Sequence, residues 1–295
     1  MRKGGRAAIF LGMITRVFIL SVLAAWGSLA MATEYGKVRI AAHRGESSVA
    51  PENTMASYEL AWRNGDEAVE TDIQLTKDGK VVICHDADTY RTSGNKKKVV
   101  IKDATLAEVQ AVDVGSFKDP KWAGQVCPTY QQLLDGMPKG TMCYTEIKSG
   151  IDVVPAFIEI QKKSGKGPDQ VVVISFHADA LEASKKALPA YKHYLLANHK
   201  KDKKSGQYQA APGVDEWIAT AKRIGADGLD LGTSPLLDEV ACKKVRDAGL
   251  ELHVWTIDDP KVAKQYIDWG AQSVTTNRSH WMKEQLTAMD AGAKR

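Results

Sequence analysis

From Lys37 onward the chain alternates between two hydrophobic periods. Short runs rich in β-branched and apolar residues occur at 38–42 (VRIAA), 68–75 (AVETDIQL), 80–86 (KVVICHD), 141–148 (TMCYTEIK) and 170–176 (QVVVISF). Four more follow at 191–197 (YKHYLLA), 226–232 (ADGLDLG), 250–258 (LELHVWTID) and 272–276 (QSVTT). These nine runs read as strands. Between them, 53–65, 152–165, 178–188, 214–225, 235–249 and 259–270 carry helical spacing. Gly65, Gly165, Gly225, Gly249 and Gly270 each follow a helical segment, the position of a left-handed helix stop. Strand–helix alternation over about 250 residues predicts a parallel sheet, and this length suits an α/β fold of the TIM-like (β/α)8 barrel type.

Nine strands are one more than such a barrel needs. Only IQLTKDGK separates Asp72 from Val81, too few residues for a crossover helix, and Lys77-Asp78-Gly79 is a turn signature. The second and third strands therefore form a hairpin excursion, and counting across it sets His85 opposite a residue within one of Thr71. Residues 87–126 read as a small insertion after the third strand, with one short helix near Leu106. The runs Lys96–Lys98 and His199–Lys204 read as solvated loops. No repeat or low-complexity linker divides 33–295, which is taken as one barrel domain.

The formal charge of +4 changes meaning once it is located. Arg2, Lys3, Arg6 and Arg16 lie in the first 32 residues, which hold no acid, and the rest carries 36 basic against 36 acidic residues. A neutral body offers no broad footprint for nucleic acid or anionic membrane, so no nucleic-acid partner is expected. Those basic residues, the apolar run Val17–Trp26 and the small residues ending at Ala32 have the grammar of a secretory signal peptide over 1–32. The run is short of the ~20 residues that a bilayer core requires; a membrane-span reading would have to recruit Ala7–Ile14. Cleavage after Ala32 would give an exported chain, periplasmic or secreted, with no stable membrane anchor. No C-x-x-C pair joins Cys84, Cys127, Cys143 and Cys242; a bridge between Cys127 and Cys143, the nearest pair in sequence, and burial as small apolar residues are equal readings.

Candidate chemistry gathers at strand ends. Glu70 and Asp72 share one strand face, because side chains alternate with period two. Glu146 and Lys148 share another. Three crowded carboxylates repel unless a cation sits among them, and an all-oxygen set suits Ca²⁺ or Mg²⁺; the competing reading pairs each acid with a rim Lys or Arg. His43 and His85 end different strands, where two imidazoles can serve as general base and acid across one phosphorus. Arg44 and Lys148 can neutralise phosphoryl oxygens.

The segments AHRGESSVAPENT (42–54), ETD (70–72), LTKDG (75–79), VVICHDADTYRTS (81–93), VDVGS (112–116), TEIK (145–148), ISF (174–176) and VWTID (254–258) together resemble the glycerophosphodiester phosphodiesterase family. The resemblance implies a TIM-like barrel that hydrolyses glycerophosphodiesters to glycerol 3-phosphate and an alcohol. It implies His43 and His85 as catalytic, Glu70, Asp72 and Glu146 as ligands of one divalent cation, Arg44 and Lys148 on phosphate, and Trp255 walling the glycerol pocket; a core position is the alternative for Trp255. It further implies attack by the neighbouring glycerol hydroxyl, with a cyclic phosphate that water opens and His85 as the acid; direct attack by His43 is the rival for the same residues. Two departures are visible: Thr276-Asn277 stands where the family often has Thr-Asp, and His177 follows Ser175-Phe176 where an acid is common. A phosphatidylinositol-specific phospholipase C-like lipid phosphodiesterase and a non-catalytic exported binding barrel are the other readings. The oligomeric state has no signature in the sequence.

Overall fold

The computed structural model describes residues 38–293, and the expected export segment at 1–32 lies outside them. Nine strands run β1 Arg39–Ala42, β2 Ala68–Leu75, β3 Val81–Ile83, β4 Met142–Ile147, β5 Val171–Ser175, β6 Lys192–Asn198, β7 Gly228–Gly232, β8 Glu251–Trp255 and β9 Ser273–Thr276. The helices are α1 Met55–Arg63, α2 Leu106–Gln110, α3 Tyr130–Gly136, α4 Val154–Lys163, α5 Ala178–Ala187, α6 Val214–Ile224, α7 Glu239–Asp247, α8 Pro260–Asp268 and α9 Ser279–Ala293. All strand pairings are parallel except β2–β3, and β1 pairs with both β9 and β2. Eight strands thus close a barrel and β3 hangs outside the ring. The hairpin register, Ile73 opposite Ile83 and Leu75 opposite Val81, carries His85 to a place opposite Thr71, as counted from the sequence.

Period-two alternation sorts each strand between two environments. Inward from β2 and β4 point Ala68, Glu70 and Asp72, and Met142, Tyr144 and Glu146. The lower members pack in the barrel interior with Val172, Ile174, Tyr194 and Leu196. The acids stand at the carboxyl ends, where such barrels place their chemistry. Outward residues such as Val69, Ile73, Cys143 and Val173 meet the helices in the main apolar layer. In α6, Val214, Trp217, Ala221 and Ile224 are buried, spaced along one helical face. The five glycines read as helix stops all have positive φ.

Two helices escaped the hydrophobic reading. α3 is short and rests on a capping box in which Thr129 and Gln132 satisfy each other's backbone groups, and α9 buries Met282 and Leu286 but has a weakly sided apolar face. The stretch after β3 holds α2 and two 3-10 turns over a satellite core of Val82, Ile101, Val109, Val112 and Val114. All four cysteines are buried free thiols. Cys127 does not meet Cys143. An antiparallel bridge between Val82 and Thr129, with Ile83 N–H donating to Pro128 O at 2.8 Å, brings Cys127 beside Cys84 instead. Cys143 lies on β4 next to Thr145.

Candidate active site

The carboxyl ends of β2 and β4 bring Glu70, Asp72 and Glu146 together, with one oxygen of each within 4.8 Å of the others. All three are buried. Arg44 Nε lies 3.4 Å from Asp72 Oδ2, and Lys148 Nζ lies 3.0 Å from Glu146 Oε1 and 3.6 Å from Asp72 Oδ1. Both readings of these acids therefore hold in part: they are paired, yet three carboxylates face two cationic side chains. The shortfall appears in their protonation. Burial, followed by Asp72, pushes Glu146 up to about 8, and burial with repulsion from Asp72 and Glu146 raises Glu70 well above the usual range. Burial also works against ionised Asp72, but Arg44, His85, Lys148 and a hydrogen bond from Asn53 outweigh it and hold this carboxyl low. Asp72 Oδ1 is buried without a hydrogen-bond partner. This all-oxygen set, one positive charge short, fits a hard divalent cation.

Strained backbone shapes the loop after β1. Arg44 and Asn53 adopt left-handed φ values of 57° and 56°, which non-glycine residues hold only where their surroundings compel it. The turn at Arg44 aims its N–H at Glu70 Oε2, 3.0 Å away, while its guanidinium reaches Glu52 at 2.8 Å. Gly45 must lack a side chain there, since a Cβ would fall 2.4 Å from Ser57 Oγ at a φ of 80°.

Hydrogen bonds fix both histidine rings. Asn277 gives its amide N–H to Asp258 Oδ2 at 2.7 Å, so its Oδ1 accepts from His43 Nδ1, also at 2.7 Å. That leaves His43 Nε2 as the ring's free base, 3.9 Å from Glu70 Oε2. Burial, then Arg44, lowers His43 to about 4, so the ring is neutral at physiological pH. On the opposite side, His85 Nδ1 bonds Asp86 Oδ1 at 2.7 Å. Hydrogen bonds from Arg91 and His85 overcome burial and hold Asp86 at about 2. Burial depresses His85, with Asp72 opposing. Arg91 also bonds both oxygens of Glu52, at 2.7 and 2.8 Å, and so ties the insertion to the Arg44 loop.

His43, Arg44, Glu70, His85, Glu146, Lys148 and Trp255 line one cavity of about 90 Å³, and Asp72 lies behind its wall. The structure thus brings together His43, Arg44, Glu70, Asp72, His85, Glu146, Lys148 and Trp255, the candidate site residues of the sequence. Trp255 lines the cavity and also packs against the barrel-interior cluster: it is partly buried, its Nε1 donates to the Asp230 carbonyl at 3.0 Å, and Phe176 meets it edge-on at 5.6 Å between centroids. His177 is exposed and its ring reaches the Lys148 carbonyl. Asn277, where the familiar acid is replaced, keeps a polar contact by holding His43. Sequence reading assigned no role to Asn277, Asp258, Glu52, Asp86, Arg91, Phe176 or Asp230. The motifs PENT, HDADTYR, ISF and VWTID contain five of these seven and were the available signal.

A glycerophosphodiester phosphodiesterase of Caldanaerobacter subterraneus subsp. tengcongensis is 32% identical over 82% of this chain and 94% of its own length. One from Bacillus subtilis is 29% identical over 94% and 96%. In structure, an Oleispira antarctica phosphodiesterase solved with the product sn-glycerol-3-phosphate has the same fold, with a TM-score of 0.74, 24% identity and 84% and 96% coverage. The Glycerophosphoryl diester phosphodiesterase family profile matches residues 43–280, a span opening on the first histidine and taking in the three carboxylates, and to that family this chain belongs.

Proposed function

We propose that the chain is an exported, cation-dependent hydrolase that cleaves glycerophosphodiesters to glycerol 3-phosphate and an alcohol by histidine general acid–base catalysis. The observation that carries this reading is the pair of imidazoles, His43 and His85, lining one small cavity with Glu70 and Glu146, with Asp72 behind them. Its support in kind is the two relatives that carry this activity in their names over most of their length.

Glu70, Asp72 and Glu146 would hold one divalent ion, Ca²⁺ or Mg²⁺, which when bound supplies Lewis-acid polarisation of a phosphoryl oxygen. Arg44 and Lys148 bind and orient the non-bridging oxygens. Neutral His43, its Nδ1 proton committed to Asn277, takes the proton of the glycerol hydroxyl next to phosphorus on Nε2. His85, held by Asp86, protonates the departing alkoxide. Phosphorus thereby gains a bond to the neighbouring hydroxyl oxygen and loses the head-group alcohol, and water opens the resulting cyclic phosphate. Trp255 and Phe176 keep bulk water from the glycerol side. Export places this reaction in the periplasm or outside the cell; among the described residues no helix is long and apolar enough to cross a membrane.

A coupled assay for glycerol 3-phosphate from glycerophosphocholine, glycerophosphoethanolamine and glycerophosphoinositol, beside an assay for inositol phosphate released from liposomes of phosphatidylinositol, tests the reading. Release from the soluble diesters with none from liposomes is expected. Release from liposomes alone would favour a lipid phosphodiesterase, and no turnover of any of them a binding barrel.

A further inference from the structure

The cavity has two unlike halves. Strands β1, β2 and β4 and the loops after β1, β3 and β4 contribute most of the charged groups, whereas the half from β5 to β9 presents mainly Ile174, Leu196, Phe176 and Trp255, with the Thr275 side chain of β9 beside them. One carboxyl interrupts that apolar half. Asp230 points inward from the middle of β7, with Leu196 of β6 and His253 of β8 as its neighbours in register. It is 2% exposed, its side chain makes no hydrogen bond among the described residues, and no cationic side chain stands against it. The other acids of this cavity each have Arg44 or Lys148. A buried polar side chain without a partner asks for one, because such groups are nearly always satisfied.

Among the described residues this half holds no cationic side chain, so it does not suit a second phosphate. A hydroxyl is the natural partner, since it donates to a carboxylate and accepts from a carboxylic acid. Burial alone raises this carboxyl to about 7, so both forms are present near neutrality, and a hydroxyl serves either. We propose that Asp230 is the specificity-determining group of the glycerol subsite, hydrogen-bonding a hydroxyl of the three-carbon moiety and so selecting hydroxylated phosphate esters over alkyl ones. This rests on the functional reading above and deepens it, by naming the residue that recognises the polyol end.

Calorimetric titration of the cation-loaded protein with glycerol 3-phosphate, propyl phosphate and ethanolamine phosphate tests it without turnover. The wild type is expected to bind glycerol 3-phosphate at least about tenfold more tightly than propyl phosphate, because a site built for a hydroxyl rejects the analogue that lacks it. Asp230→Leu should collapse that ratio to about twofold or less by weakening glycerol 3-phosphate while leaving propyl phosphate unchanged. Asp230→Ala, which adds no bulk, carries the same expectation should the leucine variant not fold, and melting curves show which variants are native. A preference retained in a folded variant would overturn the proposal, as would a wild type that favours ethanolamine phosphate and loses that preference with Asp230, which would make the group an ammonium partner. If none of the three esters binds the wild type, the underlying functional reading falls, and this one with it.

Discussion

Loading the site with a cation should expel protons from the protein, to an extent the geometry sets. Without a cation, burial and then Asp72 hold the Glu146 carboxyl up to about 8. At pH 7 such a group is about nine-tenths protonated, so ionising it for ligation weakens the apparent affinity about tenfold, or ~1.4 kcal/mol. At pH 9 the penalty has nearly vanished. Glu70, raised by burial and by its two acidic neighbours, adds to the effect in the same direction. The apparent dissociation constant for Ca²⁺ or Mg²⁺ should therefore fall by about tenfold or more between pH 7 and pH 9. Calorimetry at pH 7 in buffers of different ionisation enthalpy should count about one proton or more released per ion. Glu146→Gln should remove its share of that release and bind more weakly even at pH 9. Equal affinity at pH 7 and pH 9 with no proton released would refute the reasoning, because it would mean that the three acids are not competing for protons in the free site.

Three further outcomes follow from particular contacts. His85→Ala should slow turnover of glycerophosphocholine by ~10²–10⁴ while leaving the melting temperature unchanged, and should slow a p-nitrophenyl ester much less, since that leaving group departs without a proton. Asn277→Ala should lower kcat by about 10–100-fold with little change in KM, because the His43 ring loses the hydrogen bond that fixes its Nδ1. The metal-free protein should lose stability at both ends of the pH scale. Glu146 is raised on folding, so its contribution is present below about 4.5 and lost as pH rises toward 8; His43 is lowered, so its contribution is present above 6.5 and lost as pH falls toward 4. Melting curves in chelator across that range check both limbs, and Glu146→Gln should flatten only the alkaline one.

The barrel was legible because it is written locally. Strand–helix periodicity marked all nine strands, and Asp78-Gly79 between two alternating runs predicted the hairpin that brings His85 to the level of Thr71. The charged half of the site was legible for the same reason: Glu70 and Asp72 alternate on one strand, Glu146 stands near the end of another, and His43, Arg44, His85 and Lys148 follow strand ends. The remainder depends on closure of the ring. His43 and Asn277 meet only because β1 pairs with β9, across 234 residues of chain. Asp230 reads in sequence as one more polar residue of a strand, and only the closed interior removes its partners. Cys127 lies beside Cys84, both as free thiols, because the insertion returns antiparallel to β3; of the two equal readings, a Cys127–Cys143 bridge and burial as small apolar residues, burial is the one that holds. Helices α3 and α9 went unread because caps and a few buried side chains define them, with little apolar periodicity.

The central claim is that the Glu70–Asp72–Glu146 cluster holds a cation without which the two histidines do not turn substrate over. Its most direct test is the initial rate of glycerol 3-phosphate release from glycerophosphocholine, measured on protein exhaustively stripped with chelator and again after titration with Ca²⁺ or Mg²⁺. The account predicts loss of activity on stripping and recovery that saturates at one ion per chain, with Glu146→Gln requiring more cation for partial recovery. Full activity in the stripped protein would contradict it, leaving Arg44 and Lys148 as the only neutralisers of the phosphate.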